Sequence, residues 1–178
     1  QKIISALRHA SCMIDIYVLP GNHDFLLDEQ FASQANISLL LGDDILIKVA
    51  EKNIILLHGD TLVADDLGYK VFRKLIRSKL VLSIYHNITT RYKQFLVRKI
   101  KTVSRGKGSA KSFVKIDDKA IVKLHAKYCQ ADMLICGHFH VPMNKIVATF
   151  HGKVELFVLA SWERRFMKSS ARFVFIYD

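Results

Sequence analysis

The chain has 178 residues, 51% of them hydrophobic, enough for one domain with a real core and too many for a disordered chain. No apolar run reaches the roughly eighteen residues that span a bilayer. Its three cysteines (Cys12, Cys129, Cys136) are odd in number and unpatterned, which points to a reduced, cytosolic setting and away from a Cys-based zinc knuckle.

The net charge of +11 is unevenly spread. Fourteen of the 27 Lys and Arg residues lie within residues 67–116, where there is no Asp or Glu, leaving thirteen against sixteen acids elsewhere. Such a block suits an anionic partner (nucleic acid, a phospholipid surface or a phosphorylated substrate), or it is a solvated helix face.

In chain order, "QKIISALRHA" reads as the body of a helix without an N-cap, and residues 13–19 as a buried strand. A short helix is expected near residues 28–34. Two strands follow at 45–49 and 53–57, joined by "AEKN" as a hairpin. Gly42-Asp43-Asp44 reads as a loop between strands. From 67 to 115 the apolar residues recur at three- and four-residue steps, the pattern of amphipathic helix, and the segment ends in the Gly/Ser-rich "SRGKGSAKS". Residues 116–131 predict a helix with Asp117 and Asp118 at its positive end. Strands are predicted in "DMLICGHFH", breaking at Gly137, and at 145–149, 153–159 and 171–177. The fold class is mixed α/β in layers, a single domain over 1–178 with a basic helical insertion at about 67–115.

Three of these strands empty into polar, Gly-containing turns: "IYVLPGNHD", "IILLHGD" and "MLICGHFH". Ligands collect beyond the carboxyl ends of strands in open α/β sheets. The side chains delivered there are Asn22, His23, Asp24, His58, Asp60, His138 and His140, a donor set suited to Mn, Fe or Zn. Singly, each piece has an ordinary reading. Asn and Asp after Pro-Gly make a turn, and a His at a strand end is usually structural. His9, His86, His125 and His151 match no pattern and read as surface or packing histidines.

"GNHD", "HGD" and "GHFH", in this order, resemble the last three of five motifs of the calcineurin-like metallophosphoesterases. The surrounding "GNHDFLL…FA", "LLHGDTLVADDLGYKVFR", "SAKSFVKIDD" and "GHFHVP" are similar to the bacterial UDP-2,3-diacylglucosamine pyrophosphatases of lipid A synthesis, over residue 14 to about Trp162. The resemblance implies a β-sandwich flanked by helices, incomplete at the N-terminus, with the basic insertion capping the active site. It implies two divalent ions, foremost Mn, about 3.5–4 Å apart. Asn22, His58 and His138 would ligate one ion and His140 the other. Asp24 would orient its neighbours, and His23, where the subfamily often has Arg, would face phosphate. Hydrolysis would release UMP and leave 2,3-diacylglucosamine 1-phosphate.

By the same resemblance Asp66, Tyr69, Arg73, Arg105, Lys107, Ser109 and Lys111 are candidates to contact substrate, with helix packing or capping as the other reading for Asp66, Tyr69 and Arg73. The partners implied are a lipid-linked nucleotide sugar and the anionic inner-membrane surface, for a cytoplasmic protein held peripherally there. Nucleic acid is disfavoured because the helices offer aliphatic stretches more than stacking aromatics. Another phosphodiesterase or nuclease of the superfamily, or a non-catalytic lipid-nucleotide binder, are the alternatives.

The family's earlier Asp-x-His and its Gly-Asp with the bridging carboxylate do not precede Asn22. With Gln1 and the uncapped opening helix, this favours a chain that starts inside a longer polypeptide over a degenerate relative. The expectation is that the 178 residues alone hydrolyse this substrate poorly.

Overall fold

The structure, a computed structural model, describes residues 2–21, 24, 27–63, 89, 92 and 115–160. By its backbone contacts the chain divides into one unit of Gln1–Ala64 with Ile116–Asp178 and a second of Asp65–Lys115. The predicted helical insertion, apart from residues 89, 92 and 115, and the strand at 171–177 lie outside the described residues.

Helix α1 (Lys2–Ala10) packs on α2 (Glu29–Ala35) and buries no residue completely. Helix α2 starts where predicted because the Asp28 carboxylate accepts the Phe31 N–H at 2.8 Å, satisfying one of the free amides of the first turn. It ends because Asn36 turns left-handed (φ 53°) and caps the last carbonyls. Between these helices the strand expected over residues 13–19 shrinks to β1 (Tyr17–Val18), paired in parallel with β2 (Ser38–Leu39). Met13 and Ile14 instead fold back on the helix end, both donating to the Ala10 carbonyl, and both are exposed. An apolar run carries no period, so it cannot tell a strand from a helix terminus.

The larger sheet has five strands: β3 (Asp44–Val49), β4 (Lys52–Leu57), β5 (Met133–Cys136), β6 (Met143–Thr149) and β7 (Gly152–Val158). Their order is β3-β4-β5-β7-β6, with β4, β5 and β7 parallel in the centre and an antiparallel strand at each edge. Both hairpins close with two-residue turns, Ala50-Glu51 and Phe150-His151, as Val49 pairs with Lys52 and Thr149 with Gly152. The first corrects the reading of Gly42-Asp43-Asp44 as all loop, since Asp44 opens β3. Its carboxylate accepts from Lys127 Nζ and from the Tyr128 hydroxyl, each at 2.6 Å. The hydrogen bond to Asp44, followed by that to Tyr128, holds the Lys127 ammonium well above the usual lysine range.

Helix α3 (Asp118–Lys127) is capped by Asp117, whose carboxylate accepts the Lys119 N–H at 3.0 Å. It buries Ile121 and His125 against the sheet face that carries Ile55, Leu57, Leu134, Cys136, Val147, Val154, Leu156 and Val158. Alternation along the strands produces this face: buried and part-buried residues alternate in β5 and β7. Val63 and Ile116 pair in an isolated antiparallel bridge, so the chain leaves and re-enters the core at one place. Among the described residues no helix is long and apolar enough to cross a membrane.

Candidate metal centre

Because β4, β5 and β7 are parallel, their carboxyl ends share one edge of the sheet, and His58 and His138 follow β4 and β5 there. The Gly137 N–H donates to the His58 carbonyl at 3.0 Å, which extends the β4–β5 ladder one step into the loops. Gly59 then turns at φ 109°, and a β-carbon on it would lie 3.0 Å from the Gly137 oxygen and 3.2 Å from His138 Cβ. Only glycine allows the two loops to approach this closely. The consequence is a pair of rings in contact: His58 Nε2 and His138 Nδ1 are 3.2 Å apart, with the planes edge to face.

The loop after β1 reaches the same place. Gly21 is buried, and a β-carbon there would stand 2.7 Å from His58 Cε1, 2.8 Å from Nδ1 and 3.2 Å from Asp24 Oδ2. The Asp24 carboxylate accepts the Gly21 N–H at 3.3 Å, closing the turn. Of the site residues expected from sequence, then, Asp24 and His58 meet at Gly21, and His138 faces His58 from the next strand. His140 lies one residue beyond Phe139, exposed and, like His138, at positive φ (61° and 67°). Asn22, His23, Asp66, Tyr69, Arg73, Arg105, Lys107, Ser109 and Lys111 lie outside the described residues.

The pair fits a metal. Two imidazole nitrogens, each about 2.0–2.1 Å from one ion and about 90–109° apart, stand about 2.8–3.4 Å from each other. The observed 3.2 Å lies within that interval, and a non-Gly residue at positive φ is the kind of local cost that functional loops carry. Among the described residues no group of three or more His, Cys, Asp or Glu assembles into a metal-holding cluster. Among the described residues, the donors shown facing each other there are the two imidazoles.

Two contributors escape motif reading. Gly21 looks like turn chemistry in "LPGNHD", yet its missing side chain is what admits the His58 ring. The Phe139 ring meets His138 edge to face with centroids 5.5 Å apart, which the spacing of "GHFH" does not disclose. Asp60, which follows Gly59 in a short 3-10 turn, is almost fully buried. The nearest thiol, Cys136, is no nucleophile: burial pushes it up to about 12.

Comparison with known sequences gives the family. Residues 2–142, far more than half of the chain, match the calcineurin-like phosphoesterase family. The chain belongs to the calcineurin-like phosphoesterases. Its similarity to individual members is broad. A protein of Pseudomonas putida strain F1, named UDP-2,3-diacylglucosamine hydrolase, is 32% identical over 93% of this chain and 69% of its own length. Proteins with the same name from Photorhabdus laumondii and Blochmanniella pennsylvanica are 29% and 31% identical, over 93% and 92% of this chain and 69% and 65% of theirs. Membership of this family implies divalent metal ions.

Proposed function

We propose that this calcineurin-like phosphoesterase hydrolyses the pyrophosphate bond of UDP-2,3-diacylglucosamine, giving UMP and 2,3-diacylglucosamine 1-phosphate. The observation that carries the reading is the similarity to hydrolases of that name along nearly the whole chain. The facing of His58 and His138 at 3.2 Å supports it.

His58 and His138 hold one divalent ion, foremost Mn, through Nε2 and Nδ1, with Asn22 as a third ligand; His140 serves a second ion. Bound there, such ions supply Lewis-acid polarisation of the phosphoryl oxygens and an activated water. The chain's own groups do the rest. Asp24 and the Gly21 backbone fix the loop against the His58 ring, so that its nitrogens present a single orientation. His23 donates to the phosphoryl oxygens as their charge grows. Arg105, Lys107, Ser109 and Lys111 are the candidates to bind the diphosphate and sugar, with Asp66, Tyr69 and Arg73 as further candidates for substrate contact. The cationic block within residues 67–116 suits an anionic membrane surface, and its apolar positions suit acyl chains, which supports a protein held peripherally on the cytoplasmic side.

The test is an assay of protein carrying this chain with UDP-2,3-diacylglucosamine in 18O-water. Mn-dependent UMP release, with the label in UMP and not in the sugar phosphate, is expected. Cleavage of bis-p-nitrophenyl phosphate or single-stranded DNA without any UMP release would point instead to another phosphodiesterase. No turnover of any of them by Mn-loaded protein would overturn the enzyme reading.

A further inference from the structure

The end of the sheet away from His58 and His138 carries a different histidine arrangement. His125 on α3 is 1% exposed. Its Nε2 stands 3.0 Å from the Ala131 carbonyl oxygen, and a carbonyl only accepts, so Nε2 carries a proton in either charge state. Its Nδ1 stands 2.6 Å from Thr149 Oγ1. The same hydroxyl is placed to donate to the Gly152 carbonyl at 3.1 Å and receives the His151 N–H at 3.3 Å.

A threonine hydroxyl has one proton and two lone pairs. With His125 neutral, the bare Nδ1 takes that proton and the Gly152 carbonyl loses its side-chain donor. With His125 protonated, Nδ1–H donates to Oγ1, the second lone pair accepts the His151 N–H, and the hydroxyl proton goes to Gly152. Only the protonated ring satisfies all four contacts together. Thr149 and Gly152 are the register partners that close the Phe150-His151 turn, and Phe150 at its tip is 91% exposed.

We propose that His125 is a proton-operated latch on the β6–β7 hairpin: protonation hands the Thr149 hydroxyl to Gly152 and tightens the turn that presents Phe150. The titratable group set against the ring is His151, edge-on with centroids 6.3 Å apart. The charged groups of the surrounding elements are engaged elsewhere or exposed. Lys145 of β6 pairs with Asp118, and Glu155 of β7 accepts from Asn144. Asp132, beside Ala131, accepts the Asn53 N–H, and Lys127 pairs with Asp44. Lys119, Lys123 and Lys153 are exposed. Because β7 begins at this turn and runs parallel to β4 and β5, the latch lies at the opposite end of the sheet from the candidate metal centre.

NMR on the full chain tests this, following the ring nitrogens of His125 and the exchange protection of the His151 amide between pH 5 and 8, corrected for intrinsic exchange. Protection should rise about fivefold, in step with protonation of His125, as one hydrogen bond is gained. Thr149→Val should abolish the dependence, while Thr149→Ser and His151→Gln keep it. A His125 ring that stays in one state throughout, or protection that ignores it, overturns the latch. So does a dependence that survives Thr149→Val or vanishes in His151→Gln.

Discussion

The two ends of the five-stranded sheet use histidine in opposite ways. At the carboxyl end of β4 and β5, His58 and His138 turn ring nitrogens toward each other across 3.2 Å, on loops that need glycine at 21 and 59 and a left-handed backbone at 138. At the other end, His125 finishes both nitrogens on a backbone carbonyl and a hydroxyl, buried under a regular helix. A histidine that stabilises a fold spends its hydrogen bonds on groups that hold the fold. One that serves a ligand is set at a strand end with a ring nitrogen facing that of a second histidine.

That contrast can be broken by exchanging the expected roles. If His58 and His138 share an ion, His58→Ala or His138→Ala should lower Mn affinity and UMP release by about 100-fold or more, with little change in melting temperature; isothermal titration and turnover assays read both. His125→Ala should do the reverse. It leaves the Ala131 carbonyl and a cavity behind, at a cost of about 3 kcal/mol, or roughly 6–12 °C in melting temperature by calorimetry, with metal affinity unchanged.

Smaller changes sharpen the same comparison. Gly21→Ala puts a methyl 2.7 Å from His58 Cε1, so it should rotate that ring and weaken metal binding about tenfold while the His125 end is untouched. Cys136, in the core two residues before His138, gives a pH signature. Above its ordinary value of 9.0 the unfolded chain loses a proton that the folded chain keeps up to about 12. Stability should therefore fall as pH rises through that window, by roughly 1 kcal/mol at pH 10, and the fall should be shallower in Cys136→Ala, as urea titrations at pH 8 and 10 would show. Last, Ala50 closes its hairpin at φ 50°, a region that favours glycine. Ala50→Gly should stabilise the chain by about 0.5–1 kcal/mol without moving either histidine site.

Much of the fold was legible because its signals are local. Asp28 and Asp117 announce helix starts, and the apolar runs at 45–49 and 53–57, joined by the short polar "AEKN", announce a hairpin. Polar turns after apolar strands announce where side chains collect. What stayed hidden depends on tertiary contact. Residues 13–19 are apolar enough for a strand, but the first part is drawn into the end of α1 and only Tyr17 and Val18 pair. Asp44 looked like loop because the partners that hold it at the start of β3, Lys127 and Tyr128, are more than eighty residues away. Gly21 looked like a turn residue because the ring that needs the space belongs to a different strand. The sequence leaves His125 as a surface or packing histidine; the structure buries it, and nothing near it in sequence foretells a hydroxyl shared with Gly152.

Electron spin-echo spectroscopy of Mn bound to the chain is the most direct test of a shared ion at His58 and His138. Nitrogen modulation from two imidazoles is expected, falling to one in His58→Ala and in His138→Ala and unchanged in His151→Gln. The same modulation after both substitutions together would contradict a common ion on this pair.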